Sequence, residues 1–229
     1  MRAARTGDPA LDELAGRLCT QRNLQLNRLS SSKDIKCDGL SWSSVAVEVR
    51  HQVLVFRGEP ILAAYHSASG GRTASAEEVW GQALPYLVSV PVEHEEDSPD
   101  TYWRASVSRT TLGRALVPLG VQVGPVRELR VVERSPSGRA RVVRVRGREG
   151  EKEIEARALR ASLGAEVIRS TLFEIRPTAD GFLIVGSGHG HGVGMSQWGA
   201  EAMARRGASY REILMFFYPG SELIQGEAR

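Results

Sequence analysis

The sequence predicts an α+β fold, a mixed core of short strands and helices with a small α+β subdomain inserted into it. Three observations carry this expectation. Val45, Val47 and Val49 alternate, Val53–Phe56 continues, Gly58-Glu59-Pro60 turns and Ile61–Tyr65 returns, which is a β-hairpin pattern. Ser75-Ala-Glu-Glu78 and Ser209-Tyr-Arg-Glu212 are both capping boxes, in which a hydroxyl accepts from a free helix N–H and the glutamate three residues on reaches back. Two charged strands, Glu128–Arg134 and Arg139–Arg146, flank Pro136-Ser-Gly138. The core is expected in two parts, residues 1–105 and 165–229, around an inserted subdomain at 106–164.

Taken in order, residues 8–36 are polar and broken by Pro9, Gly16 and Ser30-Ser31-Ser32, which suits a short helix plus loop. The hairpin then delivers His66 and Ser67-Ala-Ser-Gly-Gly71 to a strand end, a usual place for binding residues. The first capped helix should stop near Gly81, and residues 84–103 read as an irregular acidic loop. Thr110–Val117 and Ala156–Leu163 read as helices, the second ended by Gly164, and Phe173–Ile175 and Phe182–Val185 as short apolar strands. A helix over Ser196–Arg206 should end at Gly207. In the last helix Ile213, Leu214, Phe216 and Phe217 give a buried face before Pro219-Gly220.

Composition narrows the function. A chain of 229 residues with 41% hydrophobic residues can bury a real core. Its net charge of +3 comes almost wholly from arginine, since the lysines are Lys33, Lys36 and Lys152. That bias fits either coding composition or attraction to an anionic surface. No basic stripe interleaved with aromatics appears, so nucleic acid is not an expected partner. Cys19 and Cys37 are too few for a disulfide framework, and whether they pair is open. No apolar run reaches the roughly 20 residues of a membrane span, and the N-terminal stretch lacks the apolar region of an export signal.

The most informative stretch is Gly186-Ser-Gly-His-Gly-His-Gly-Val-Gly-Met-Ser-Gln-Trp-Gly-Ala200. Alternating glycines suit a backbone that needs positive φ or must approach a ligand or another chain closely. The loop opens a helix at Ser196, so its N–H groups could meet anionic or hydroxyl-rich ligands. The spacing matches no nucleotide fingerprint. His189 and His191 would share a side of an extended strand. They could be a metal pair with a third ligand such as His66, structural histidines, or groups that hydrogen-bond substrate or move a proton. Gln197 and Trp198 suit a sugar's hydroxyls and ring face, although Trp198 is equally suited to a core. In Tyr65-His-Ser-Ala-Ser-Gly-Gly-Arg-Thr73 a Ser/His nucleophile lacks an elbow and a partnered aspartate, and a hydrogen-bonding wall for glycan is the better reading. The candidate substrate-binding set is therefore His66, Ser67, Ser69, Gly70, Gly71, Thr73, His189, His191, Ser196, Gln197 and Trp198.

These strings occur in order with Glu-x-Val-Trp-Gly (77–81), Pro-Tyr-Leu (85–87), Ser-Pro-Ser-Gly-Arg (135–139), Leu-Arg-x-x-Leu-Gly (159–164), Arg-Ser-Thr-x-Phe (169–173) and Tyr-Pro-Gly (218–220). Over roughly residues 40–225 the chain closely resembles the stage II sporulation protein D/LytB amidase-enhancer family. The resemblance implies a cell-envelope protein acting on peptidoglycan glycan strands. Its sporulation members are lytic transglycosylases of strands stripped of stem peptides, and its LytB-type members enhance a wall amidase. One carboxylic acid would protonate the glycosidic oxygen and then, as carboxylate, assist attack of the muramyl 6-hydroxyl.

Two departures bear on activity. The family's catalytic glutamate would precede Met1, because only the tail of its helix is seen, as Ala3-Ala4-Arg5-Thr6. No catalytic residue is therefore assigned, and Glu77 and Glu78 read better as capping groups. Where some members bind zinc, Asn23 and Leu24 stand in place of the His and Cys ligands although Cys19 and Gln25 remain, so neither metal nor cofactor is expected. The expected partners are glycan strands and a cell-wall amidase. An extracytoplasmic location requires an export signal ahead of this sequence.

Overall fold

The computed structural model describes residues 52–225. The helix and loop expected within 8–36, the Val45–Val49 alternation, Cys19, Cys37 and the Asn23–Leu24 pair lie outside the described residues. Nearly all of what is described belongs to one compact unit, Leu54–Leu223. It is an α+β fold of short helices and small sheets, as expected. Among the described residues no helix is long and apolar enough to cross a membrane.

Strand β1 (Gln52–Phe56) turns through Arg57 and Gly58, both at positive φ, into β2 (Glu59–Pro60), with Val55 opposite Pro60. The hairpin is shorter than the pattern predicts. After one further bond, from Ile61 N–H to the Leu54 carbonyl, the chain leaves β1, and β3 (Tyr65–His66) pairs elsewhere. Competing partners explain this: the Ala64 carbonyl accepts from Met195 N–H at 3.0 Å and from the Tyr218 hydroxyl at 2.8 Å. Helix α1 (Ala76–Trp80) carries the expected capping box at Ser75 and Glu78, and Gly81 ends it in the left-handed region.

The acidic segment that follows is irregular up to β4 (Trp103–Ser108), yet it buries Leu87 and Val92. Helix α2 (Arg109–Leu116) starts at Ser108, whose hydroxyl accepts from Thr111 N–H, and its inner face buries Leu112, Ala115 and Leu116. Strands β5 (Val126–Arg134) and β6 (Ala140–Gly147) flank the Pro136-Ser-Gly138 turn as expected. A third strand, β7 (Glu151–Glu155), pairs antiparallel with β6. The pattern missed β7 because only Ile154 on it is buried. On the exposed face Arg141, Arg144 and Arg146 meet Glu133, Glu153 and Glu128, so much of the arginine excess here is neutralised in surface pairs.

Helix α3 (Ala156–Leu163) ends at Gly164. Strands β8 (Phe173–Pro177) and β9 (Gly181–Gly186) then join β4 in a sheet of order β4-β9-β8. Phe173, Phe182, Ile184, Leu112, Leu159 and Val143 share one apolar cluster, so the β4-β9-β8 and β5-β6-β7 sheets and helices α2 and α3 lie against the same core. A second cluster gathers Ala74, Leu87, Val92, Val193, Ile213, Phe217 and Tyr218. Strand β10 (Met195–Ser196) leads into α4 (Gln197–Arg205), and α5 (Tyr210–Phe217) opens on the second capping box, Ser209 with Glu212. Its buried stripe is narrower than the four expected residues: Ile213 and Phe217 are inside, whereas Phe216 is 36% exposed. Strand β11 (Glu222–Gln225) ends the described chain.

The glycine-rich run leaves the first cluster at β9 and enters the second at Val193. Trp103 guards the exit. Its register partner is Gly186, where an added Cβ would stand 2.2 Å from the indole ring, and its Nε1–H donates to the Gly188 carbonyl at 2.9 Å. Trp103→Phe keeps most of the apolar contact but leaves that buried carbonyl without its donor. It should lower stability by about 1–3 kcal/mol in urea denaturation. A change below about 0.5 kcal/mol would show that the indole N–H does not anchor the run.

Candidate functional site

Parallel pairing of β3 with β10 sets Tyr65 beside Met195 and His66 beside Ser196. Two isolated bridges join the same stretches further along, an antiparallel one between Ala68 and His189 and a parallel one between Ala74 and Val193. Backbone bonds run between them, from Ala68 N–H to the His189 carbonyl, from His189 N–H back to Ala68, and from Ala74 N–H to Gly192. The two stretches singled out from the sequence, 65–73 and 186–198, are therefore laid against each other.

Glycine is required for this contact. Gly192 has φ 84°, and a Cβ there would fall 2.4 Å from Arg139 Nη2. At Gly194, φ 71°, it would meet the Ala64 carbonyl at 1.9 Å. Arg139 lies beneath the loop, 3% exposed, with Nη2 donating to the carbonyls of Ser69 at 2.8 Å and Arg72 at 3.1 Å. Burial lowers its pKa to about 10, against the pull of Glu78 and Glu95, so it stays charged at neutral pH.

The centre of the contact is Glu95, from the acidic loop and 7% exposed. Its Oε1 accepts from Ser69 N–H at 3.0 Å and from the Ser196 hydroxyl. Its Oε2 accepts from the Ser69 hydroxyl at 2.6 Å and from the N–H groups of Gly70 at 3.0 Å and Gly71 at 3.2 Å. Consecutive N–H groups pointing into one concavity make a backbone nest, here filled by the protein's own carboxylate. A shallow cleft of about 210 Å³ opens beside it, lined in part by Gly70, Gly71, Glu95, Tyr102 and Ser187.

A second acid, Asp100, is 6% exposed and takes Arg169 Nη1–H at 2.5 Å on Oδ1 and His189 Nδ1–H at 3.1 Å on Oδ2. Burial raises its pKa, but the bonds from His189 and Arg169 outweigh that and hold it below the usual carboxylate range. His189 is thereby oriented, with Nε2 left for other contacts.

His66 and His191 behave differently. His66 is 4% exposed, and its Nδ1–H donates to the Val193 carbonyl at 3.1 Å, so Nε2 is a bare acceptor with no protein partner. Burial drives its pKa down to about 3, opposed by the Val193 bond and helped by the Arg139 charge. His191 Nδ1 accepts from Val193 N–H at 3.0 Å, and burial followed by the charges of Arg139 and Arg160 lowers its pKa. Its ring stands 5.8 Å from that of His66 and 5.5 Å from that of Trp80, which is 40% exposed. Because Gly190 has φ 107°, the run is not extended there, and His189 and His191 turn to different partners. Among the described residues no group of three His, Cys, Asp or Glu side chains is placed to hold a metal ion.

The other candidates divide by access. The hydroxyls of Ser69, Thr73 and Ser196 are buried and engaged, Thr73 with the 88–90 segment and Ser196 as the α4 cap on Gly199 N–H. Ser67 lends its carbonyl to Trp198 N–H, and both residues are half-buried. Gly71 and Gln197 are exposed, and Gly70 is half-buried. Sequence reasoning missed Glu95, Asp100, Arg139, Arg169 and Trp80. Arg139 and Trp80 stood inside recognised motifs and Arg169 at the head of another, whereas Glu95 and Asp100 were hidden in an acidic run.

Together the fold and the site define an α+β domain organised by two facing glycine-bearing loops around a buried carboxylate. Residues 82–194 match a family model described as a domain of unknown function, DUF8618. The chain is 30% identical to stage II sporulation protein D of Bacillus subtilis, over 77% of this chain and 49% of that protein. It is 27% identical to the amidase enhancer of the same organism, over 81% of this chain and 33% of that protein. An uncharacterized protein of Brachyspira hyodysenteriae is 32% identical over 81% of this chain and 50% of its own length. The chain belongs to the stage II sporulation protein D/LytB amidase-enhancer family, and spans about half or less of these curated relatives.

The histidines set an acid limit on stability. His66 and His191 are held neutral in the fold but bind protons when unfolded, so stability is full above about pH 6.5 and falls as pH drops below it. Between pH 6.5 and 5, above the carboxylate range, the slope from His66 should approach about 1.4 kcal/mol per pH unit, with His191 contributing in the same direction. Urea denaturation across that range should show this loss, and His66→Asn should flatten it. A profile flat from pH 7 to 5 would contradict the assignment.

Proposed function

We propose that this chain is a cell-wall glycan-binding domain of the bacterial envelope, related to lytic transglycosylases that act on peptide-free strands. The supporting observation is the meeting of the two glycine-bearing loops where the exposed Trp80 ring stands 5.5 Å from the His191 ring, an aromatic face beside a polar group of the kind a sugar ring meets. The relatives named for sporulation and amidase enhancement point to the same compartment.

On this reading Glu95, Asp100 and Glu78 do not serve as a glycosidic acid. Glu95 gives both oxygens to donors, Asp100 is bridged to Arg169 and His189, and Glu78 bonds Ser75 and the Ser137 N–H. They build the site and do not protonate a leaving group. A second reading, activation of a wall amidase, is favoured by the likeness to the amidase enhancer.

Sedimentation with insoluble peptidoglycan stripped by an amidase tests the first reading. The purified chain should co-sediment with the stripped strands and release no 1,6-anhydromuramyl ends, scored by mass spectrometry of the supernatant. Failure to co-sediment overturns glycan binding, and release of anhydro ends overturns the view of the acids. Faster stem-peptide release by added amidase, without strand binding, would favour the second reading.

A further inference from the structure

Val193 is held from both sides by histidine rings. Its N–H donates to His191 Nδ1 at 3.0 Å, and its carbonyl accepts from His66 Nδ1–H at 3.1 Å. Each backbone group has one role only, so both ring states are fixed: Nδ1 is bare in His191 and carries the proton in His66. A second proton therefore has opposite effects on the two rings. His66 would take it on Nε2 and keep its bond to Val193. His191 would take it on Nδ1, where two donors would then face each other, and the N–H of the fully buried Val193 would lose its acceptor. The remaining described histidines gain from protonation. His189 is already bonded to Asp100, and the ring nitrogens of His94 stand 3.5 Å from Glu93 and 3.6 Å from Glu96. Among the described histidines, His191 is thus the one that loses a hydrogen bond when it is charged. The groups facing it are His66 from β3, its ring 5.8 Å away, Trp80 from α1, Arg139 beneath Gly192, and Arg160 from α3, which shares the Arg169 carbonyl with Gly190 N–H. Burial, then the Arg139 and Arg160 charges, hold its pKa below the ordinary histidine value, against the Tyr65 backbone. Gly190 and Gly192, at φ 107° and 84°, flank the residue, so the chain can pivot on either side of it.

We infer that His191 is an acid-released latch on the glycine-histidine run: the bond from Val193 N–H to its bare Nδ1 closes the tip of the run, and a proton taken by that nitrogen opens it. In the closed state the ring is fixed 5.5 Å from that of Trp80. That pair is the face on which the glycan-binding reading rests, so on that reading acid also weakens binding. The bare nitrogen sets the sign. Above the ordinary histidine value of 6.5 the latch is closed, and closure is lost progressively as pH falls below it. His66 stays neutral across this range and keeps its hold on the Val193 carbonyl. The loosening is therefore local to the tip, and separate from the loss of overall stability that both histidines produce.

Residue-resolved amide exchange of the full chain from about pH 7.5 to about pH 5 tests this, read as protection factors so that the intrinsic pH dependence of exchange is removed. Protection of the Val193 amide should fall about tenfold per pH unit below about pH 6.5, the response to uptake of one proton on opening. The Gly70 and Gly71 amides, which Glu95 holds, should lose less. His191→Asn offers a side-chain oxygen as an acceptor that does not titrate, and should flatten the Val193 profile. His66→Asn should leave the fall in place. Val193 protection that stays level down to about pH 5 in the unaltered chain overturns the latch, and so does a fall that survives His191→Asn. Should that variant not fold, the ring nitrogen chemical shifts of the unaltered chain decide. His191 Nδ1 should gain its proton over the interval in which Val193 is released, and protonation without release overturns the latch. Co-sedimentation with amidase-stripped strands at the two ends of the range tests the consequence. Binding should weaken with acid in the unaltered chain and stay constant in His191→Asn. Binding unchanged by acid while Val193 is released overturns the link to binding. Failure to bind at either pH overturns the glycan reading, and the exchange result stands apart from it.

Discussion

Glu95 ties two loops and the start of a helix together through one buried carboxylate. Five donors converge on its two oxygens, three from the Ser69-Gly70-Gly71 backbone and two from the hydroxyls of Ser69 and Ser196. Ser69 and Ser196 belong to different loops, and Ser196 also caps α4. One side chain thus holds the serine-glycine turn, the end of the glycine-histidine run and the start of a helix. An amide cannot replace it. Whichever oxygen became NH₂, it would face at least one backbone N–H, from Ser69 on one side or Gly70 and Gly71 on the other, and two donors cannot bond. An unsatisfied buried donor costs about 1–3 kcal/mol, so the isosteric change is unfavourable whichever way the amide turns.

The remaining features follow from bringing two backbones this close. Gly192 and Gly194 have no room for a Cβ, one because Arg139 lies underneath and the other because the Ala64 carbonyl does. Tight packing buries His66 and keeps it neutral, while Asp100 holds His189 at its Nδ1 and leaves Nε2 for other contacts. The buried polar groups therefore act as structure, whereas Trp80, Gln197 and Gly71 are exposed and His191 is half-buried.

Much of this was legible in the sequence, for reasons that can be named. Capping boxes are local, so Ser75–Glu78 and Ser209–Glu212 form as read. The alternating glycines signalled close backbone approach, and that is what they do. What could not be read were choices made by distant partners. The return strand after Pro60 gives way because Ala64 is claimed by Met195 and Tyr218. Strand β7 exists because β6 offers it an edge, not because Glu151–Glu155 looks like a strand. Glu95 and Asp100 sit among Glu93, Glu96 and Asp97, and nothing in an acidic run separates a carboxylate that will be buried from one that will be solvated. Same-side placement of His189 and His191 assumed an extended strand, and Gly190 at φ 107° breaks that assumption.

Hydrogen exchange of the Ser69, Gly70 and Gly71 amides, together with those of 188–194, tests the central claim most directly. If Glu95 is the common anchor, all these amides should be protected in the native chain. Glu95→Gln should then release both loops together, with exchange at least about tenfold faster while the β4-β9-β8 sheet stays protected. Unchanged protection across 188–194 in that variant would contradict the account, because the two loops would then be held by something other than this carboxylate.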